Sequence, residues 1–286
     1  MPEIQIIPNF FDDKEENSLS ILRLDLPDPL TCGNKIYKMK YNLEEMKSLG
    51  LNRVITFGGA FSNHIAATAT VGNRNGFETI GIIRGDELNE NSNRVMRHVS
   101  SCGMKLIFVS REEYRKRYDA EYCEMLVKKY GPAYLLPEGG SNKFAIRGCK
   151  EILSDATDKY DMIFSPVGTG GTLSGIIAAA KAHQQVVGIA VLKGKNYLEG
   201  EVEKYLKRES FVAKWKIEHD FTLGGYGKSS LELQHFIREM KNKFDLPLDH
   251  VYSGKTLFAI SQIKKRDAFR GKHLLFVHTA GYAFSQ

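Results

Sequence analysis

Residues 160–171, YDMIFSPVGTGG, place an apolar run directly before a turn that contains three glycines. The small residues that follow, TLSGIIAAAKAH (172–183), are typical of a closely packed helix. A buried parallel strand is a short, nearly continuous apolar run, and a helix usually connects it to the next parallel strand. This stretch therefore predicts a strand–turn–helix unit, with the glycine turn at the carboxyl end of the strand.

The same alternation of apolar runs and helical patterns continues on both sides of this unit. Strands are predicted at residues 52–59, 77–85, 104–110, 133–140 and 185–195, and helices at 62–76, 91–103, 111–131 and 142–156. Alternation of this kind is typical of an α/β fold with parallel-rich sheets flanked by helices. Glycine turns also follow Phe57 and Pro137, so several turns are expected at the strand ends where ligands bind in such folds.

The composition excludes several classes of protein. The chain has 286 residues and a net charge of +6, with its basic residues scattered among acidic ones, so no nucleic-acid partner is expected. No apolar run approaches the roughly 18 residues of a membrane span, and no signal peptide is recognised, so we expect a cytoplasmic protein. The cysteines and histidines lack metal-ligand spacings, which predicts reduced thiols and no metal site. The cysteines are Cys32, Cys102, Cys123 and Cys149.

The glycine turn of the quoted unit is a candidate phosphate site. Glycines let backbone amides approach a ligand closely, and the positive end of the following helix favours an anion. Thr169 and Thr172 add hydroxyl donors. The spacing matches neither a Walker A loop nor GxGxxG, so a nucleotide is not the first expectation. A tight turn that serves only helix–strand packing is the alternative.

Two further polar stretches contain candidate site residues. CGNKIYKMK (32–40) holds Lys35, Lys38 and Lys40, which taken alone are typical of a solvated face. GGAFSNHIA (58–66) follows a predicted strand, and Ser62 there is a plausible N-cap. Capping does not account for the whole polar triplet of residues 62–64.

These stretches together carry a resemblance. GNKIYKMKYNL, ITFGGAFSNHIAATA, PEGGSN, SPVGTGGTLSG, GYG and VYSGK occur in the order seen in fold type II pyridoxal phosphate (PLP) enzymes. The sequence most resembles the 1-aminocyclopropane-1-carboxylate deaminase and D-cysteine desulfhydrase family, from about Leu22 to Ala283. The resemblance implies a two-domain, tryptophan synthase β-like fold with PLP in the interdomain cleft. The expected domains are a smaller α/β domain of residues 43–140 and a larger, PLP-binding α/β domain of residues 1–42 plus 141–286.

The resemblance also implies roles for individual residues. Lys35 matches the lysine that bonds covalently to PLP, Lys38 a phosphate contact, and Asn63 the partner of the phenolic oxygen. Ser62 matches a serine near the substrate. The remaining matches are the phosphate cradle (Gly168, Thr169, Gly170, Gly171 and Thr172), two active-site tyrosines (Tyr226 and Tyr252) and the partner of the pyridine nitrogen (Ser253).

The chemistry of the two lysines agrees with these roles. A Schiff-base lysine must be unprotonated, and burial and a nearby positive charge lower its pKa. Lys35 lies beside apolar Ile36 and close to Lys38, which follows three residues later and shares its helix face if a helix has begun. Lys40 is predicted to point away and to remain solvated.

Two positions distinguish the branches of the family. The deaminases carry glutamate where this chain has Ser253, and glutamine where it has His64. A hydroxyl gives a weaker electron sink than a carboxylate, which suits β-elimination better than opening of a cyclopropane. We therefore expect a lyase or deaminase of amino-acid metabolism that converts a small amino acid to a 2-oxo acid and ammonia by desulfhydrase-like elimination. The alternatives are 1-aminocyclopropane-1-carboxylate deaminase and a non-catalytic protein that binds PLP or another phosphate ligand.

Two departures from the family pattern indicate a reshaped pocket. Phe61 replaces the usual glutamine, and Glu138 stands where an apolar residue is common. The substrate therefore stays open at this point. The family resemblance implies a homodimer, and the lack of a long apolar run predicts no membrane partner.

Overall fold

The computed structural model describes residues 2–11, 19–26, 30–31, 33–193, 197–225, 227–263 and 271–279. Its strands are β1 (Glu3–Ile7), β2 (Leu19–Arg23), β3 (Arg53–Gly59), β4 (Glu78–Arg84), β5 (Lys105–Val109), β6 (Tyr134–Leu136), β7 (Met162–Val167), β8 (Gln185–Ala190), β9 (Lys214–Glu218) and β10 (Leu274–His278). Its α-helices are α1 (Asn34–Ser48), α2 (Asn63–Asn75), α3 (Arg94–Ser101), α4 (Arg111–Arg115), α5 (Ala120–Tyr130), α6 (Lys143–Cys149), α7 (Gly171–Ala179), α8 (Tyr197–Leu206), α9 (Leu231–Phe244) and α10 (Ser253–Ile263).

The strands form two sheets. The larger has the order β1-β2-β10-β7-β8-β9, and the smaller has the order β5-β4-β3-β6. Only β1 pairs antiparallel among the described strands, so the predicted parallel-rich α/β fold is confirmed. Parallel strands need crossover helices, which accounts for the alternation in the sequence.

The larger sheet is buried on both faces. Successive side chains of a strand point to opposite faces, and in β10 Phe276 joins one apolar core while Leu275 and Val277 join the other. Helices α9 and α10 supply residues to the first core, and α7 and α8 supply residues to the second. Burial on both faces explains why the strands of this sheet are continuous apolar runs.

Strands of the smaller sheet lie between residues 53 and 136, inside the predicted smaller domain. Helix α1 runs across the predicted boundary at residue 43 without a break and packs mainly on α6. The division of the chain at residues 43 and 140 stays a prediction.

The predicted long helix over residues 111–131 is wrong. The chain forms α4, then a 3-10 turn (Lys116–Tyr118), and α5 begins only after Asp119. The Asp119 side chain accepts hydrogen bonds from the backbone N–H groups of Glu121 and Tyr122, so it caps a new helix. The break turns residues 114–118 toward the end of β6.

In the described part of the chain, no helix combines the length and the apolar character that a membrane crossing requires.

Candidate active site

Helix α1 separates the three lysines by burial. The helix begins immediately after Gly33, whose positive φ of 54° suits glycine. One turn along α1, Lys38 is 3% exposed, whereas Lys35 is half-buried. Lys40 lies exposed and forms an ion pair with Glu151 (Nζ–Oε2, 2.7 Å), in agreement with its predicted solvated position.

The ammonium group of Lys38 has only neutral acceptors around it. Its Nζ donates to the Gly139 carbonyl (2.9 Å) and to Ser141 Oγ (2.8 Å). Within the described ranges no carboxylate pairs with this group. Burial, and then the charge of Lys35, lower the pKa of Lys38 to about 7. A buried cation without a counter-charge is costly, so this position favours a bound anion.

The glycine turn closes the other side of the same space. Thr169 Oγ1 lies 2.6 Å from Ser141 Oγ, and α7 begins at Gly171 with its amino end toward this group. A Cβ atom added to Gly171 would lie 2.6 Å from Ser141 Oγ and 3.3 Å from Lys38 Nζ. A bare backbone, a helix amino end, two hydroxyls and an ammonium group together fit a phosphate.

Lys35 is linked to this turn through its neighbour. Its Nζ donates to Asn34 Oδ1 (3.0 Å), and Asn34 Nδ2 donates to Thr172 Oγ1 (2.7 Å). Sequence reasoning assigned no role to Asn34 or to Ser141. The available signals were the position of Asn34 directly before the reactive lysine and that of Ser141 after two glycines at a strand end.

His64 presents an unpaired acceptor to the same region. The Thr56 hydroxyl donates to the Leu136 carbonyl (2.8 Å), so in its 2.7 Å contact with His64 Nε2 the imidazole is the donor. This assigns the lone pair to Nδ1, which is buried without a partner among the described residues. Burial, and then two nearby lysines, hold the His64 pKa well below its usual range. A Cβ atom on Gly140 would lie 3.2 Å from Nδ1, so the neutral acceptor faces the turn at residues 139–141.

The start of α2 reaches the site through His64. Ser62 caps this helix by accepting from the Ile65 N–H (3.3 Å), which confirms the predicted N-cap. Asn63 is the first residue of α2 and is half-buried. The substrate role of Ser62 and the cofactor role of Asn63 stay predictions.

The amino end of α10 lies against the glycine turn. A Cβ atom on Gly168 would lie 3.3 Å from Cε1 of the Tyr252 ring. Ser253 is fully buried, donates to Asp249 Oδ2 (2.5 Å) and accepts from the Asp249 N–H (2.8 Å). Tyr226 lies outside the described residues.

Glu138, the unexpected acid of the PEGGSN stretch, anchors the 3-10 turn after α4. Its Oε1 accepts from the Tyr114 hydroxyl (2.7 Å), and its Oε2 accepts from Arg117 Nε (2.7 Å) and from the Tyr118 hydroxyl (3.3 Å). The next residue, Gly139, supplies a carbonyl to Lys38. Glu138 therefore connects the 3-10 turn after α4 to the candidate phosphate site.

Comparison with known proteins agrees with this geometry. The pyridoxal-phosphate dependent enzyme family (PALP) matches residues 8–280. The chain belongs to this family. PLP is its cofactor, and the buried Lys38, the unpaired His64 Nδ1 and the bare Gly171 fit that group. No cluster of three or more potential metal ligands occurs among the residues that the structure describes.

Two activities occur in the names of the relatives, 1-aminocyclopropane-1-carboxylate deaminase and D-cysteine desulfhydrase. The chain is 30% identical over 282 residues to a Thermotoga maritima protein provisionally named 1-aminocyclopropane-1-carboxylate deaminase, covering 92% of this chain and 88% of the relative. It is also 30% identical to the Arabidopsis thaliana mitochondrial bifunctional D-cysteine desulfhydrase/1-aminocyclopropane-1-carboxylate deaminase, with 92% and 72% coverage. A crystal structure of an ACC deaminase homologue superposes with a TM-score of 0.83 at 25% identity, covering 99% and 90% of the two chains. The resemblance and the fold type II prediction are confirmed.

Proposed function

We propose that this PLP-dependent enzyme removes a β-substituent from a small amino acid, in the manner of a D-cysteine desulfhydrase. The observation that carries the preference for elimination is that the first residue of α10, which the resemblance places beside the pyridine nitrogen, is the buried hydroxyl residue Ser253 and not a glutamate. The products would be a 2-oxo acid, ammonia and the released substituent, with one water consumed. For cysteine these are pyruvate, ammonia and hydrogen sulfide.

The described residues divide the work of holding the cofactor. Lys38, Ser141, Thr169 and the amino end of α7 would hold its phosphate, and Lys35 would hold it covalently through Nζ. When bound, PLP supplies an electron sink for charge that develops at the α-carbon of the amino acid. Asn34 holds the Lys35 amine by the hydrogen bond from Nζ to Oδ1 (3.0 Å), and Thr172 fixes the Asn34 amide in turn. These two contacts orient the amine toward the glycine turn.

Proton transfer falls to groups in the same cluster. Lys35 Nζ is the proposed acceptor for the α-proton once the substrate has displaced it, and Tyr252 is the alternative base. His64 Nδ1, unprotonated and buried, would accept a hydrogen bond from a bound cofactor or substrate.

Ring opening of 1-aminocyclopropane-1-carboxylate is the second candidate, and one contact favours it. Because Ser253 donates its proton to Asp249, the Ser253 oxygen is left as an acceptor. Toward a ring nitrogen such an oxygen favours the protonated form, which is the stronger electron sink. The Arabidopsis thaliana relative has both activities in its name.

A substrate panel separates these candidates. D-cysteine, L-cysteine, D-serine and 1-aminocyclopropane-1-carboxylate are incubated with the holoenzyme, and 2-oxo acid release is measured for each. Elimination predicts pyruvate and sulfide from one cysteine enantiomer and little product from the cyclopropane substrate. Preferred turnover of 1-aminocyclopropane-1-carboxylate would overturn the preference, and no turnover of any amino acid would favour the non-catalytic alternative.

The finer predictions on assembly, location and partners rest on the sequence and its resemblance. We infer a homodimer, a cytoplasmic location and no nucleic-acid partner. Light scattering of the purified holoenzyme tests the dimer, which predicts about twice the monomer mass of 32.3 kDa.

A further inference from the structure

A cavity of about 600 Å³ lies at the carboxyl edge of the smaller sheet, and neither Lys35 nor Lys38 is among its lining residues. In the sheet register Gly59 of β3 pairs with Arg84 of β4, which pairs with Val109 of β5, so the three strands end side by side. Helix α4 starts next to the end of β5, and its Tyr114 hydroxyl reaches Glu138 beyond β6. Since β5 and β6 are the two edges of this sheet, α4 and its Tyr114 side chain extend past the ends of β4 and β3 and line the cavity.

Four arginines line this cavity, namely Arg84, Arg111, Arg115 and Arg117. Two of them are neutralised, because Arg111 pairs with Glu87 (2.7 Å) and Arg117 pairs with Glu138 (2.7 Å). In the part of the chain that the structure describes, Arg84 and Arg115 have no carboxylate partner. The cavity wall therefore carries two uncompensated positive charges.

An aromatic ring, and not a carboxylate, positions Arg84. Arg84 lies 5.8 Å from the centroid of the Tyr114 ring, and Arg117 lies 4.9 Å from the same ring. Contact with a ring positions a guanidinium group without using its N–H donors. The Arg84 donors therefore stay available for a ligand.

The remaining lining suits an anion of small size. The amino end of α3, with Asn93 as its cap, opens onto the cavity and adds the positive end of a helix. Ser92 also lines the wall. Phe61 also lines the cavity, is 70% exposed, and directly precedes Ser62 and Asn63 of the candidate active site. The cavity thus borders the loop that the resemblance assigns to the substrate.

We propose that Arg84 and Arg115 bind an oxyanion (a carboxylate, phosphate or sulfonate group) of a small molecule in this cavity. The anion has two possible sources: the distal end of the substrate or a separate effector. The existence of the site does not depend on the proposed reaction, whereas the substrate source rests on it.

Titration calorimetry of the holoenzyme with inorganic phosphate, and separately with malonate, tests the site. The bound cofactor occupies the Lys38 cradle, so the probes report on anion sites outside it, and the arginine variants assign the binding to this cavity. We expect Arg84→Gln and Arg115→Gln each to weaken binding of at least one probe by about tenfold, the loss of one charge-assisted hydrogen bond. Arg238→Gln is the control, since it removes an exposed arginine on α9 of the other sheet's helices and should leave binding unchanged.

Arg84→Lys distinguishes loss of the charge from misfolding, because it keeps the charge and should retain part of the affinity. Equal affinity in all variants, or no binding of either probe to the parent enzyme, would overturn the proposal.

Kinetics then separate the two sources. If the anion is the substrate's distal group, Arg84→Gln lowers kcat/KM for O-phosphoserine relative to O-acetylserine by about tenfold. If it is a separate effector, that ratio is unchanged, and inorganic phosphate alters turnover of O-acetylserine in the parent enzyme but not in Arg84→Gln. Should neither amino acid react, the substrate source is overturned, the cysteine panel still decides the proposed function, and the calorimetric result still decides the site.

Discussion

Positively charged side chains lie at the carboxyl edges of both sheets, but they differ in burial and in their hydrogen-bond partners. At the larger sheet Lys38 is 3% exposed and meets only neutral acceptors. At the smaller sheet the arginines are open to solvent or half-buried, and two of them have carboxylate partners. A buried lysine shifts its pKa readily, whereas arginine stays charged. The first edge is therefore suited to covalent and phosphate chemistry, and the second to reversible binding of an anion.

The largest expected effect comes from the lysine that we assign to covalent attachment. Lys35→Ala should abolish turnover and the visible absorption band of the bound cofactor, because no other amine takes its place. Lys40→Ala is the matched control, an exposed lysine of the same helix whose loss should change neither. Absorption spectra and 2-oxo acid release measure both variants. A band that survives unchanged in Lys35→Ala would contradict the assignment.

Lys38→Met should weaken PLP binding by at least tenfold, since it removes the charged donor at the phosphate. In the cofactor-free protein, Lys38→Met should change how the free energy of unfolding depends on pH. The folded pKa of Lys38 is about 7 and the unfolded pKa is 10.5, so between these values the unfolded chain binds more protons. Stability due to Lys38 therefore rises with pH across this window, and its unfavourable contribution is fully present below pH 7.

Urea unfolding of the cofactor-free proteins at several pH values tests this sign. The stability of the parent protein relative to Lys38→Met should be lowest near pH 7 and increase toward pH 10. If the difference in unfolding free energy between the two proteins does not vary with pH, the Lys38 ammonium group is not buried without a counter-charge.

Gly171→Ala should lower PLP affinity by about tenfold, because the added methyl would lie 2.6 Å from Ser141 Oγ and displace it from the cradle. Gly200→Ala on α8 is the control, since nothing lies within 4 Å of its added Cβ. That change should leave affinity intact and favour the helix by up to about 1 kcal/mol. Cofactor titration and thermal unfolding measure the two effects. Equal affinity in both variants would argue against a tight cradle at Gly171.

Glu138→Gln should have the smallest effect, a loss of about 1 kcal/mol, because it removes the charge that pairs with the half-buried Arg117. The midpoint of thermal unfolding should fall by about 2 to 4 °C. Glu87→Gln removes the more exposed partner of Arg111 and should change the midpoint by less. The opposite ranking would mean that Glu138 does not anchor the turn over the smaller sheet.

The sequence predicted the architecture well and the contacts incompletely. Continuous apolar strands and glycine turns were sufficient for the parallel-rich α/β fold, since both features follow from burial on two faces. The long helix over residues 111–131 failed because helical periodicity continues through Asp119, whereas the cap and the partners of Glu138 end it. Local pattern does not contain a partner that is 21 residues away.

The candidate site shows the same division. Lys35, Lys38, Ser62 and the glycine turn could be recognised from ordered motifs, and the structure brings Lys38 and the turn into contact through Ser141. Neither Asn34 nor Ser141 stood out, because each acquires its role from a partner 138 or 28 residues away. Arg84 and Arg115 were unremarkable in the sequence for the same reason.

By itself, the sequence determined the types of element, the order of the motifs and the family to which they point, because these depend on local spacing and composition. Tertiary structure alone decided which cations are buried without a counter-charge and which are exposed. It also decided the His64 tautomer, through the hydrogen bond from Thr56 to Leu136. Burial and partner geometry set the pKa and the binding chemistry of a side chain, and both arise only when distant segments meet.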